Sequence, residues 1–291
     1  MKFLQLLLTV LVFASSCAQK ADVTEILYPF PKDLKEVSGM HLDRNNLLWV
    51  VEDSGNKNEI YALDPHGKLQ KTVQITNAQN NDWEDLTYDE HDNLYIGDFG
   101  NNDNDRQNLK ILKIDATDLK SKTEVTATEI EFYYPEQQQF PPKKTHLLYD
   151  AEAFFVLGDS FYVFTKNRSK GFDGTSLVYK IPNRVGRHAA QLIGEFKTCG
   201  IYQKCAVTSA AISPDLKTIA LLTQGKVWLI ENFKKDGILS GNISSYDLKE
   251  LTQKESILFE NNQTLLLSDE AKKKTGGQVY RVTIADLKTK S

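Results

Sequence analysis

One phrase recurs five times along this chain: an acid or hydroxyl, a short apolar strand, a polar turn, a second strand and a closing polar residue. It begins at Glu36 (EVSGMHLD, turn RNN, LLWVVED) and at Glu84 (EDLTYD, turn EHDN, LYIGD). It returns at Glu152 (EAFFVL, GDS, FYVFTK), Thr208 (TSAAIS, PDLK, TIALLT) and Glu255 (ESILFE, NNQ, TLLLSDE). A third strand follows each copy, as in EIYALD, NLKILKID and QVYRVTI. The runs are four to eight residues long and rich in β-branched and aromatic types, with Asn, Asp, Gly and Pro between them. Helical periodicity is nearly absent. The copies start roughly 50 residues apart, near the ~40–50-residue period of four-stranded propeller blades.

The expectation is therefore an all-β fold, a β-propeller of five four-stranded blades. A β-sandwich would not repeat one acid–strand–turn–strand frame. A sixth blade, the alternative, has room only in the long intervals after the second and third copies, and no such frame stands there. The extra length after the second copy, Ser121–Lys144, reads as an outer strand plus a Pro/Gln-rich loop. An open ring would leave strand edges exposed. Asp22–Tyr28 alternates like a strand and is expected to close the ring as the outer strand of the fifth blade.

In a blade, the start of the first strand and the end of the second lie on one face. Glu84 to Asp98, Glu152 to Lys166 and Glu255 to Asp269 are each fourteen residues apart; Glu36 to Asp53 is seventeen and Thr208 to Thr223 fifteen. The frame thus gathers Glu36, Asp53, Glu84, Asp85, Asp98, Glu152, Glu255, Asp269 and Glu270 around one channel mouth, relieved by Lys166 and Arg106. Crowded carboxylates raise one another's pKa unless a cation compensates. Ca²⁺, which takes six to eight oxygen ligands, fits such a rim, and Asn101–Asp105 (NNDND) adds amide oxygens outside any EF-hand pattern. The expected metal ligands are Glu36, Glu84, Asp85, Asp98, Glu152, Glu255 and Asp269. Lys166, Arg106, Asp53 and Thr208 are expected to face a ligand. Against this stands a structural role: such acids can accept bonds from backbone amides or from Ser38, Thr87 and Ser256, and Asp53, Asp98 and Asp269 can make Asx turns.

The N-terminus reads as an export signal. Lys2 precedes the apolar run Phe3–Ala14, too short for an ordinary membrane span, and Ser15-Ser16-Cys17 follows. Small residues before a cysteine fit a lipoprotein cleavage box with Cys17 as the lipidated first residue, though Ala14 stands where Leu is preferred; a plain secretory signal cut near Ala18 is the alternative. The domain expected from this is residues 18–291, outside the cytoplasm in a bacterial cell envelope and anchored to a membrane. Cys199 and Cys205 then read as a local disulfide, with free thiols or zinc as alternatives; the five histidines are scattered without ligand spacing. The net charge of −4 and the absence of a basic stripe exclude a nucleic-acid groove.

Several phrases resemble the SdiA-regulated and esterase-like phytase group of exported β-propellers. They are W-E-D-L (Trp83–Leu86), the run Leu94–Arg106, D-A-E-A (Asp150–Ala153), F-T-K (Phe164–Lys166), Val207–Asp215 and E-S-I (Glu255–Ile257). The resemblance covers about Glu36–Ile284. It implies a propeller whose acidic mouth holds Ca²⁺, and a phosphoester substrate. The chain departs from the group at Asn101 and Asn102, where a second Asp is frequent. It also offers few cations for phosphates: Lys166, Arg106, Lys57 and the run Lys272–Lys274. Gly158-Asp159-Ser160 lies in a hairpin turn with no helix after it, and G-x-S-x-G, Walker and H-E-x-x-H motifs are missing. Two readings follow: a binding protein that engages a small ligand or a protein at a cation-holding mouth, or a Ca²⁺-dependent phosphoester or ester hydrolase at the same place.

Overall fold

The computed structural model describes residues 23–272 and 275–291; Cys17 and the segment expected to be an export signal lie outside them. Strand β1 (Glu25–Pro29) precedes the first blade, which is β2 (Val37–Leu42), β3 (Leu48–Glu52), β4 (Glu59–Leu63) and β5 (Leu69–Ile75). The second blade begins with β6 (Trp83–Tyr88), β7 (Leu94–Asp98) and β8 (Lys110–Ile114). After the short helix α1 (Ala116–Ser121) and β9 (Glu124–Val125), it ends with β10 (Thr128–Tyr133). The third contains β11 (Asp150–Leu157), β12 (Ser160–Lys166) and β13 (Thr175–Pro182), then β14 (Gly186–Ala189) and β15 (Gln191–Lys197). Helix α2 (Tyr202–Cys205) leads to the fourth: β16 (Val207–Ile212), β17 (Thr218–Thr223), β18 (Lys226–Glu231) and β19 (Asn242–Asp247). The fifth is β20 (Lys254–Asn261), β21 (Thr264–Asp269) and β22 (Gln278–Thr283), followed by α3 (Ile284–Lys290).

Five antiparallel blades form the ring, and β1 pairs with β22 to complete the fifth, as the alternating N-terminal segment required. The long second interval does more than the sequence suggested. Its β9 leaves the second blade and pairs in parallel with β5 of the first, before β10 returns as outer strand. The third blade repeats the move: β14 pairs in parallel with β10 of the second. Blades one and two therefore each carry a fifth strand donated by the next blade, which covers their outer edges.

The tight turns explain many of the acids. Asp43 Oδ1 accepts from the Asn45 and Leu47 amides, Asp64 Oδ1 from His66 and Lys68, and Asp89 Oδ1 from His91 and Asn93. Each turn holds a residue at positive φ three places on: Asn46, Gly67 or Asp92.

Five apolar clusters fill the spaces between neighbouring blades, including the seam, where Val37, Met40 and Leu48 of the first meet Leu258, Leu266 and Val279 of the last. Phe99, Phe132 and Phe154 pack edge to face between blades two and three. Each such ring contributes about 1.5–3 kcal/mol by leaving water. The inner strands approach so closely that a Cβ on Gly39 would lie 2.7 Å from the backbone of Asp85 and Leu86.

Candidate functional site: the acidic channel mouth

Every inner strand slips register at its start. The breaks fall between Val37 and Gly39, Trp83 and Leu86, Ala151 and Ala153, Val207 and Ser209, and Lys254 and Ser256. A bulge leaves its extra residue out of the ladder and re-aims its side chain. The bulged residues are Ser38, Glu84 with Asp85, Glu152, Thr208 and Glu255. The repeat seen in the sequence is thus real at four of five positions, and shifted at the first, where Ser38 rather than Glu36 is equivalent. Glu36 is exposed, and its Oε2 accepts from Asn56 at 2.9 Å.

The second strands separate into two sets, because alternate side chains leave a strand on opposite sides. Opposite Val37, Trp83, Ala151, Val207 and Lys254 stand Glu52, Asp98, Thr165, Thr223 and Asp269. All five accept hydrogen bonds from protein donors. Glu52 takes the Lys35 amide at 2.9 Å, Thr165 Oγ1 the Leu177 amide at 3.0 Å, and Thr223 Oγ1 the Lys226 amide at 3.1 Å. Asp98 takes Arg106 at 2.9 Å and Asn81 at 2.8 Å; Asp269 takes the Gln278 amide at 3.0 Å and the Tyr280 hydroxyl at 2.6 Å. One residue further come Asp53, Lys166 and Glu270, which share the mouth with Glu255. Lys166 and Asp53 both act on Glu255, and Glu255 and Asp53, besides burial, push Glu270 up to about 8. The common spacing of fourteen merged these two sets. Asp98 and Asp269 hold their blades together, whereas Lys166 faces the channel.

Asp85 has another task. Buried at the inner ends of the blades, it accepts from the Leu86 amide at 2.9 Å and Ser209 Oγ at 3.0 Å, and from the Phe154 and Ala210 amides at 3.4 Å. Ser209 Oγ in turn receives the Ile257 amide at 3.2 Å. One carboxylate thereby joins blades two, three and four and reaches the fifth, so the sequence-derived ligand set loses Asp85, Asp98 and Asp269 to structural bonds. Of the hydroxyls expected to serve these acids, Ser38 donates to the Trp83 carbonyl instead, and Ser256 Oγ has no partner. The Asn101–Asp105 run is spent on loop structure: Asn101 receives the Arg106 amide, and Asn104 receives the Tyr149 amide. Arg106 itself pairs with Asp98 and the Gly100 carbonyl.

The structure brings together a set that the sequence frame only half revealed. A carboxylate oxygen from each of Asp53, Asp82 and Glu84 lies within 4.8 Å of the other two, and the same holds for Glu84, Asp150 and Glu152. Glu84 belongs to both groups. The overlooked signal was the doublet D-x-E at the bulges of blades two and three, Asp82-Trp83-Glu84 and Asp150-Ala151-Glu152; the other blades carry Glu36-Val37-Ser38, Ala206-Val207-Thr208 and Gln253-Lys254-Glu255. Gly100 closes the wall: a Cβ there would lie 2.2 Å from Glu84 Oε1 and 2.5 Å from Asp82.

Electrostatically the two groups differ. In the second, Arg168 Nε pairs with Asp150 Oδ2 at 2.5 Å and its Nη2 with Glu152 Oε1 at 2.7 Å, while Lys166 holds Glu152 Oε2 at 2.9 Å. Arg168 was missed because it lies beyond the strand that carries Lys166. Burial alone would pull Lys166 down, but Glu152 and Glu255 hold it above its ordinary value. In the first group, no ion pair among the described residues involves Asp53, Asp82 or Glu84. Asp82 Oδ1 is buried with no hydrogen-bond partner, and the residue is only 6% exposed. Burial, then Asp53 and Asp150, push Asp82 up to about 7. Burial, then Glu152, Asp53, Asp150 and Asp82, push Glu84 well above the carboxylate range. Hard divalent cations are bound by such oxygen sets, so these buried acids can hold a metal ion. Thr208 Oγ1, expected at the ligand, is buried and unpartnered at the same level.

A cavity of about 580 Å³ opens at the other end of the channel, lined by Met40, His41, Tyr88, Leu157, Ile212 and Phe259 among others. It holds none of the carboxylates of the two groups. Cys199 and Cys205 form the expected disulfide, Cα atoms 5.4 Å apart, which points to an oxidising compartment. No helix among the described residues is long and apolar enough to cross a membrane.

No family model and no curated protein sequence matches the chain. Solved structures do. The PQQ-bound aldose sugar dehydrogenase of Streptomyces coelicolor is 9% identical with a TM-score of 0.51, the match covering 91% of this chain and 98% of that one. A putative gluconolactonase is 11% identical with a TM-score of 0.46, covering 85% and 73%. Virginiamycin B lyase of Staphylococcus aureus is 13% identical with a TM-score of 0.41; the match covers 85% of this chain and 66% of the lyase, so the chain spans just under two thirds of that protein. At these identities the likeness concerns the fold alone.

Proposed function

We propose that this chain is an exported, lipid-anchored β-propeller that binds divalent cation, Ca²⁺ by its oxygen donors, at the acidic channel mouth and there engages an anionic small ligand or protein partner. Asp53, Asp82 and Glu84 hold the ion; Lys166 and Arg168 supply the flanking positive charge. The observation that carries this reading is Asp82 Oδ1: a buried carboxylate oxygen with no donor among the described residues, beside two more acids that no described cation neutralises. Lys166 and Arg168 already answer the second group, whereas no described residue supplies positive charge to the first. The resemblance to the SdiA-regulated and esterase-like phytase group agrees with a cation at this mouth.

The test is thermal. The mature domain is melted in Ca²⁺ and in chelator, and turnover of p-nitrophenyl phosphate and phytate is measured in both. A cation that binds only the folded form adds about 2.7 kcal/mol at a hundred times its Kd. Identical melting in both buffers would remove the cation from the reading. Phosphoester hydrolysis is the second reading, favoured by one feature: Glu84 is shared by two adjacent carboxylate groups, the arrangement that two-metal phosphoesterases use. Ca²⁺-dependent turnover would establish it; a melting shift without turnover leaves the binding role. The anchor is tested by Cys17→Ser, which should move the protein out of the membrane fraction.

A further inference from the structure

The two carboxylate groups pose a question that the cation reading leaves open: how many ions does the mouth take? By donor count both groups qualify, and Glu84 joins them. By charge they are unlike. Asp150 and Glu152 each give an oxygen to one guanidinium, at 2.5 Å and 2.7 Å, and the remaining oxygen of Glu152 meets Lys166 at 2.9 Å. A guanidinium presents a planar fork that matches two carboxylates at once and never gives up its proton. It fills the space between Asp150 and Glu152 as a metal would, with a fixed positive charge.

Arg168 is also held from behind. Its Nη1 donates to the Tyr202 hydroxyl at 2.9 Å. Tyr202 opens α2, the four-residue turn closed by the Cys199–Cys205 disulfide, and its ring packs edge-on against Phe172 with centroids 5.3 Å apart. Thr198 Oγ1 donates to the Cys205 carbonyl at 2.7 Å and the Thr198 amide to the Gly174 carbonyl at 2.8 Å, so the bridged loop is fastened to the start of β13. All three nitrogens of the guanidinium are thus engaged, two by the cluster and one by the loop.

Resting on the cation reading above, we propose that Arg168 is a resident cation, positioned by Tyr202 on the disulfide-closed loop, which occupies the second half of the cluster and limits the mouth to one divalent ion. The cysteine pair then has a role in specificity as well as in stability: it sets the hydroxyl that sets the arginine. An ion entering between Glu84, Asp150 and Glu152 would have to displace Arg168 from both of its acids and from Tyr202.

Ca²⁺ titration by calorimetry, on chelator-treated and dialysed full-length domain, reads the stoichiometry directly. The wild type is expected to bind one ion per chain, Arg168→Met two, and Arg168→Lys one, because lysine restores the charge. Tyr202→Phe and the double variant Cys199→Ser/Cys205→Ser should admit a second ion about 10-fold more weakly than Arg168→Met does. One ion in every variant, with unchanged Kd, overturns the resident-cation role and leaves the proposed function intact. Two ions in the wild type do the same. No ion in the wild type overturns the cation reading itself. If Arg168→Met does not fold, as read by melting in chelator, Tyr202→Phe decides: a weak second ion supports the proposal and its absence refutes it.

Discussion

Blades two and four are built on the same hairpin with the same bulge, yet they bring opposite things to the channel mouth. At the bulge and two residues before it, blade two has Glu84 and Asp82, while blade four has Thr208 and Ala206. Opposite the strand start, blade two has Asp98, tied to Arg106, and blade four has Thr223, tied to its own turn. The backbone needs only something at these places that can accept a bond or tolerate burial. The frame specifies the fold, and the side chains at the bulge specify which part of the ring is charged.

The strongest way to break this comparison is at Asp85, the residue that blade two adds and blade four leans on. Asp85→Ala strands the Ser209 hydroxyl and the amides of Phe154 and Ala210 in the interior. Loss of such a buried acceptor should cost about 3–5 kcal/mol, visible in a denaturant melt. A loss under about 1 kcal/mol would mean that the blades are joined by packing alone. Next comes Glu84→Gln, which makes blade two neutral at its bulge like blade four. In chelator this variant should melt no lower than the wild type, since glutamine keeps the neutral form that burial and the neighbouring acids already impose on Glu84. In Ca²⁺ it should lose most of the stabilisation that the wild type gains. Lower stability in chelator would mark Glu84 as structural, like Asp85.

A pH series sharpens the same contrast, because blade four has no titrating group at the mouth. In the cation-free protein Asp82 and Asp150 titrate at about 7, raised from 3.8 chiefly by burial. The folded state then binds more protons than the unfolded one across this interval, so their contribution to stability is complete below 3.8 and is lost as pH rises through 7. His41 works the other way: burial holds it at about 4 instead of 6.5, so its contribution is present above 6.5 and lost as pH falls through 4. Between about pH 6.5 and 8.5 only the acids contribute slope. The melting temperature in chelator should fall over that range, and less steeply in Ca²⁺, where Asp82 is held ionised by the ion. A flat profile in chelator would show that these acids ionise freely.

The ring of five blades was legible because period and turn chemistry repeat locally: Asp43, Asp64 and Asp89 announce their turns within four residues. The donated strands β9 and β14 were not, since parallel pairing with a neighbouring blade leaves no local signature. At the site, the sequence located the bulged acids Glu84, Glu152 and Glu255 but merged two strand faces, because counting residues cannot see a bulge that moves the register by one. Arg168 was invisible for a different reason. Its place depends on Tyr202, thirty-four residues away, and on a disulfide loop.

The smallest expected effect is at Thr208, the counterpart of Glu84 in the neutral blade. Its Oγ1 is buried without a partner, and the side chain is 1% exposed. Valine has nearly the same shape and no hydroxyl to desolvate, so Thr208→Val should be neutral or stabilising by up to about 1 kcal/mol, with Ca²⁺ response unchanged. Thr208→Ala, which leaves a gap instead, should be the less stable of the two, and a melt of the pair reads the difference. If Thr208→Val instead weakens Ca²⁺-linked stabilisation while Thr208→Ser preserves it, the hydroxyl serves the bound state. Blade four would then contribute a neutral oxygen to the site that blades one and two charge, and the contrast between charged and neutral blades would become a division of labour around one ion.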